Sequence, residues 1–139
     1  MRLVLDANVF ILAFSDPRPS ELTSLFALLT ADASRFEIVV GRSLLAEVER
    51  NLSPGTYRTC WELLDALGVI PVEDWQVPYE LGAKYQAMGF KAGDAFIAAL
   101  GEWAGADYLV TENRHFLDRS RLPFKVVRIA AFLKIAERI

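Results

Sequence analysis

Short apolar runs rich in β-branched residues recur along the chain at positions 3–5, 38–40, 69–72, 108–110 and 126–128, and none alternates cleanly with polar residues. A strand wetted on one face shows that alternation, so these runs predict strands covered on both faces, as in a parallel sheet between helices. Between them the apolar positions are spaced three and four apart. Leu22, Leu25, Phe26, Leu28 and Leu29 form one stripe from Ser20, Leu44, Leu45, Val48 and Leu52 a second behind Ser43, and Cys60, Leu63, Leu64 and Leu67 a third. This spacing gathers residues on one side of a helix. Segments 79–88, 94–103 and 130–139 read the same way, and Pro54-Gly55, Gly68, Gly89 and Gly105 stand where helices should stop. Alternating strands and helices predict a single α/β domain over residues 1–139, with a central, mostly parallel sheet of about five strands flanked by helices in three layers.

Composition narrows the chemistry. With 53% hydrophobic residues in a chain of 139, there is enough apolar material for one core, which excludes a disordered or collagen-like segment. One cysteine and one histidine cannot build a disulfide framework or a Cys/His zinc site, and a reducing, cytoplasmic setting is expected. The first residues hold no signal-peptide core, and nowhere do about 18 apolar residues follow one another as a membrane span requires, so no membrane association is expected. A formal net charge of −3 disfavours a grip on nucleic acid by bulk positive charge. The position of the acids then becomes the deciding matter.

Asp6 ends the first strand in Leu5-Asp6-Ala7-Asn8, and Asn113 follows strand 108–110 in Thr111-Glu112-Asn113-Arg114-His115-Phe116. In parallel strands both stand at the carboxyl edge, where open α/β sheets place their sites. Glu47 lies in the first turns of the helix that leaves strand 38–40 from that edge. Asp94 opens the helix that runs to Trp103 and turns at Gly105 into strand 108–110, so its start lies near that strand's end. Three carboxylates brought together repel and raise one another's pKa, so such a cluster normally needs a cation. All-oxygen donors select Mg²⁺ or Mn²⁺ over zinc, and the chemistry this suits is hydrolysis of a phosphodiester.

Taken together, Leu3-Val4-Leu5-Asp6-Ala7-Asn8, the helix start at 43–47, Gly93-Asp94-Ala95-Phe96-Ile97-Ala98-Ala99 and Leu109-Val110-Thr111-Glu112-Asn113-Arg114-His115-Phe116 resemble, in order and spacing, a PIN domain of the VapC-type toxin ribonucleases. The resemblance spans nearly the whole chain. It implies a PIN-like fold and a metal-dependent endoribonuclease, the toxin of a type II toxin–antitoxin pair, with Asp6, Glu47 and Asp94 as the acidic core that holds Mg²⁺ (or Mn²⁺). Asn113 would complete the catalytic set, although many members carry a fourth acid there. Asn8, Ser43 and Thr111 match polar positions that line the family's site. Arg42, Lys91 and Arg114 sit beside these motifs and would hold phosphates of the RNA substrate.

Each residue has a plainer reading. Asp6 would suit a turn that closes a strand, Glu47 a solvated face shared with Glu49 and Arg50, Asp94 a helix N-cap, and Asn113 a turn. The three basic residues would suit a solvated rim. His115 beside Phe116 and Cys60 in its apolar stripe are expected to be structural, and Trp61, Trp75 and Trp103 to be core or interface anchors. Two other functions compete. A phosphotransferase with Asp6 as nucleophile is opposed by Asn8, which stands where a second acid would be needed. A catalytically degenerate RNA- or protein-binding module is kept open by Asn113. Helix 130–139, with Phe132, Leu133 and Ile135, would suit a homodimer, an antitoxin partner or the closing layer of the core.

Overall fold

The computed structural model describes residues 1–69, 71–118 and 121–138. Strand β1 (Arg2–Leu5) runs at once into α1 (Ala7–Ala13), followed by α2 (Ser20–Ala31), β2 (Glu37–Val39), α3 (Arg42–Asn51) and α4 (Pro54–Ala66). Then come α5 (Tyr79–Ala87), α6 (Ala92–Ala104), β3 (Tyr108–Val110), α7 (Arg114–Leu117), β4 (Lys125–Val127) and α8 (Ile129–Ala136). All strand pairs are parallel, in the order β2-β1-β3-β4. The chain therefore steps from β1 to β2 on one side and then crosses to β3 on the other. At such a reversal the crossovers part, and a crevice opens beyond the carboxyl ends of the two central strands.

Leu3, Val4 and Leu5 of β1 and Leu109 and Val110 of β3 are fully buried, as expected of strands covered on both faces. Helix α6 carries an apolar face of Ala95, Ala98, Ala99 and Leu100, small enough for close packing. Its Gly101 faces Phe124: a Cβ there would lie 2.6 Å from the ring. Gly105 ends α6 in the left-handed conformation, at φ 65°, where glycine carries no Cβ penalty. No helix among the described residues is long and apolar enough to cross a membrane.

The expected parallel sheet flanked by helices is what the chain forms, with differences of detail. The sheet has four strands rather than about five among the described residues, and it is wholly parallel. The run 69–72 forms no strand. Ile70 lies outside the described residues, and Val72 contributes a lone parallel bridge to Gly41, its N–H donating to Val40 and its carbonyl accepting from Arg42. Pro54 begins α4 as well as following α3, with Ser53 as its cap. The run 126–128 stops at Val127, and Arg128 caps α8, which begins at Ile129; Ile139 lies outside the described residues. Helix α1 was not expected: it is short, and its buried positions Ala7, Val9, Phe10 and Ala13 include two alanines that make a weak stripe.

Candidate active site

The register of β1 and β3 places the first acid. Leu5 pairs with Val110, and the ladder runs one residue past both strands: Asp6 N–H donates to Val110 at 3.1 Å, and Thr111 N–H donates to Val127 at 3.0 Å. Asp6 and Thr111 thus stand side by side at the carboxyl edge. The Thr111 hydroxyl donates to Asp6 Oδ2 at 2.7 Å, and Asp6 Oδ1 accepts from Ala7 N–H at 2.7 Å, capping α1. Asp6 is therefore the cap of α1, rather than the strand-closing turn of its plain reading, and also a member of the acidic group. Burial pushes its carboxyl above the ordinary carboxylate range; the Thr111 and Ala7 donors pull it back in part, and the charges of Asp94 and Glu47 push it up further.

Asp94 is the third residue of α6, whose N-cap is Lys91, so it does not cap the helix as its plain reading supposed. Its Oδ1 accepts from Asn113 Nδ2 at 3.4 Å. Asn113 serves three contacts at once: its N–H donates to Thr111 Oγ1 at 2.9 Å, and its Oδ1 accepts from His115 N–H at 3.0 Å, capping α7. Glu47, on the second turn of α3, has an exposed side chain that forms no ion pair among the described residues, contrary to a salt-bridge face with Arg50.

These groups share one cavity of about 300 Å³, lined by the acids Asp6, Glu47 and Asp94, the amides Asn8 and Asn113, and Lys91, Gly93 and Ile97. Of the residues singled out in the sequence, Ser43, Arg42, Arg114 and Thr111 are not part of that lining. Thr111 is fully buried and acts from behind, through Asp6. Arg42 pairs with Glu73 at 2.9 Å, and Ser43 N–H donates to Asp74 Oδ1 at 3.1 Å, both on the chain after α4. Arg114 is exposed on α7. Cys60 is buried, its thiol pushed up to about 11 by desolvation, in keeping with a core role. The sequence did not single out Ile97 as a wall of the cavity, nor the tie made by Glu112, whose N–H donates to Asn8 Oδ1 at 3.5 Å. A carboxylate wedged between two residues of a site motif was the available signal.

A roomier groove, about 480 Å³, lies between α5, α6 and the 74–78 segment, with Trp75 and Tyr79 more than four-fifths exposed beside it. Its walls are mostly apolar, and Asp74 is its one acid. The smaller cavity is the one that gathers acids and amides. Among the described residues no group of three His, Cys, Asp or Glu side chains forms a ready-made ion cage. Magnesium asks less than a cage: it keeps several waters and takes one or two carboxylates directly. An all-oxygen donor set with a desolvated, mutually repelling acid at its centre fits such a hydrated hard cation.

The sequence profile described as "PIN domain" matches residues 2–115. The chain belongs to the PIN-domain family. That span runs from β1 into α7 and contains every acid of the cavity. The PIN fold is also what structural comparison finds: a solved structure titled VapBC2 from Rickettsia felis bound to a DNA fragment from their promoter superposes with a TM-score of 0.65, at 19% identity, over 92% of this PIN domain and 98% of that chain. At that identity the likeness speaks for the fold. No curated protein matches the chain.

Proposed function

We propose that this PIN domain is a metal-dependent endoribonuclease that hydrolyses RNA phosphodiester bonds. The observation that carries the proposal is the convergence of Asp6, Glu47 and Asp94, from β1, α3 and α6, on one cavity at the crossover point of the sheet. In this reading Asp6, Glu47 and Asp94 hold Mg²⁺ or Mn²⁺. A bound divalent ion lowers the pKa of water and neutralises charge that develops on a phosphate.

The chain's own residues supply the rest. Thr111 and the Ala7 amide fix the Asp6 carboxylate in one orientation, and the Asn113 amide does the same for Asp94. Lys91, exposed at the cavity and without an ion pair among the described residues, is free to draw a phosphate toward the acids. Asn113 donates where a fourth acid would only accept, which limits the negative charge that the cation must balance. Arg42, tied to Glu73, and Arg114, on the neighbouring α7, would contact RNA farther from the scissile bond.

A toxin role in a toxin–antitoxin pair, with an antitoxin protein as partner, rests on the likeness to the VapBC2 complex, and a homodimer is proposed with it. The test is cleavage of a mixed RNA substrate with Mn²⁺ and with EDTA, alongside Mn²⁺ calorimetry. Cleavage that stops in EDTA supports the reading. Absence of both binding and cleavage would return the protein to the degenerate module that Asn113 allows, and cleavage undiminished in EDTA would overturn the metal dependence.

A further inference from the structure

We propose that Glu112 is a positioning residue for the acidic cavity, fastening the turn that orients Asp6 and Asp94 to the N-terminus of α8. The proposal deepens the nuclease reading and rests on it. Three consecutive residues of that turn each reach a different part of the site: the Thr111 hydroxyl goes to Asp6, the Glu112 N–H to Asn8, and the Asn113 amide to Asp94. The turn is held at its ends by the Thr111 N–H on Val127 and by the Asn113 cap of α7, and at its middle from the other side.

The Glu112 side chain does not line the acidic cavity. It faces a separate hollow, shared with Arg128 and Ile129, so it cannot replace the acid that Asn113 lacks. There Oε1 accepts from Ile129 N–H at 3.1 Å and Oε2 from Arg128 at 3.1 Å. A carboxylate suits that place because the first N–H groups of a helix have no partner within it, and the helix dipole favours negative charge there. The helix is a firm anchor: Ile129 and Phe132 are buried, and the Phe132 ring meets Phe36 and Tyr108 edge-on, each at 6.0 Å between centroids. Rigidity thus passes from the core through α8 and Glu112 to the turn, and from the turn to two carboxylates. Partners behind a metal-binding group commonly alter its affinity or activity by about 10–100-fold when removed.

The variants Glu112→Ala, Glu112→Asp, Glu112→Gln and Arg128→Ala separate positioning from bulk stability. Asp is one methylene too short to reach the Ile129 N–H, whereas the Gln amide oxygen still can. Expected are an about ten-fold or larger loss of Mn²⁺ affinity by calorimetry and of kcat on RNA for Ala and Asp, with KM within about two-fold of wild type. Gln should stay within about two-fold of wild type in both, as should Arg128→Ala, whose side chain is half-exposed. If Ala fails to fold by circular dichroism, the Asp and Gln pair decides. Wild-type behaviour of Ala and Asp overturns the proposal, as does a Gln variant as impaired as Ala, which would mean that the charge itself is needed. A wild-type protein that binds Mn²⁺ but cuts no RNA defeats the nuclease reading while the variants' Mn²⁺ affinities still decide the role of Glu112; one that binds no Mn²⁺ defeats both.

Discussion

The Thr111 hydroxyl donates to Asp6 Oδ2 at 2.7 Å between residues 105 positions apart in the chain, and both side chains are buried. The contact follows from the parallel register, which sets the residue after β1 beside the residue after β3. It also repeats outward, since Thr111 accepts in turn from Asn113 N–H.

Thr111→Val keeps the shape and removes the hydroxyl, leaving the buried Asp6 carboxylate and the Asn113 N–H each short of a partner. A buried polar group so deprived costs about 1–3 kcal/mol, so urea unfolding should show a loss in that range. RNA cleavage should fall as well, because Asp6 is then held by the Ala7 N–H alone. Unchanged stability would mean that water replaces the hydroxyl.

Asp6→Asn and Asp94→Asn should each lower RNA cleavage by at least about 100-fold, on the scale of removing a direct participant in ion binding or proton transfer. Their stabilities should move the other way for Asp6. Its folded carboxyl sits above the ordinary value of 3.8, so its favourable contribution is complete below that value and is lost as pH rises through the folded one. At pH 7 the charge is a cost, and metal-free Asp6→Asn should melt higher than metal-free wild type. A lower melting temperature would show that the carboxylate is a net support of the fold.

Glu102 gives the opposite pH dependence. Lys84 at 2.7 Å, with Tyr85 at 2.9 Å, holds its carboxyl below the ordinary 4.5. That stabilisation is present above 4.5 and disappears as pH falls through the lowered value. Glu102→Gln should therefore be less stable than wild type at pH 7, by under about 1 kcal/mol for a half-exposed lysine partner, and the gap should close in acid. Denaturant melts at several pH values read this directly.

Gly101→Ala places a Cβ 2.6 Å from Phe124 in the buried face of α6. The helix-propensity gain of up to about 1 kcal/mol is outweighed by overpacking of about 1–3 kcal/mol, so a net loss near 1 kcal/mol is expected in urea unfolding. Below the melting range, cleavage per folded molecule should be unchanged, because the clash lies two turns from Asp94.

The acids were legible in the sequence because each sits at a boundary that periodicity marks: the end of an apolar run for Asp6, the second turn of a helix for Glu47, the start of an apolar face for Asp94. Parallel topology then carries them to one edge. Residues whose placement depends on non-local pairing were not legible. Thr111 reads as a lining residue, yet register turns it inward to Asp6. Arg42 and Ser43 read as neighbours of the site, yet Glu73 and Asp74, some 31 positions on, claim them. The run 69–72 has the composition of a strand, yet its part in the sheet among the described residues is one bridge, Val72 to Gly41.

Asp6 finds one partner in the next residue, Ala7, and the other 105 positions on, in Thr111. Asp6 meets its hydroxyl donor only when β3 has docked beside β1, and the turn that carries the donor is held in turn by β4, α7 and α8. A chain interrupted before β3 keeps Asp6, Glu47 and Asp94 but lacks the Thr111 and Asn113 donors to the first and the last of them. In the proposed nuclease, the aim of two acids thus depends on donors that follow all three acids in the sequence.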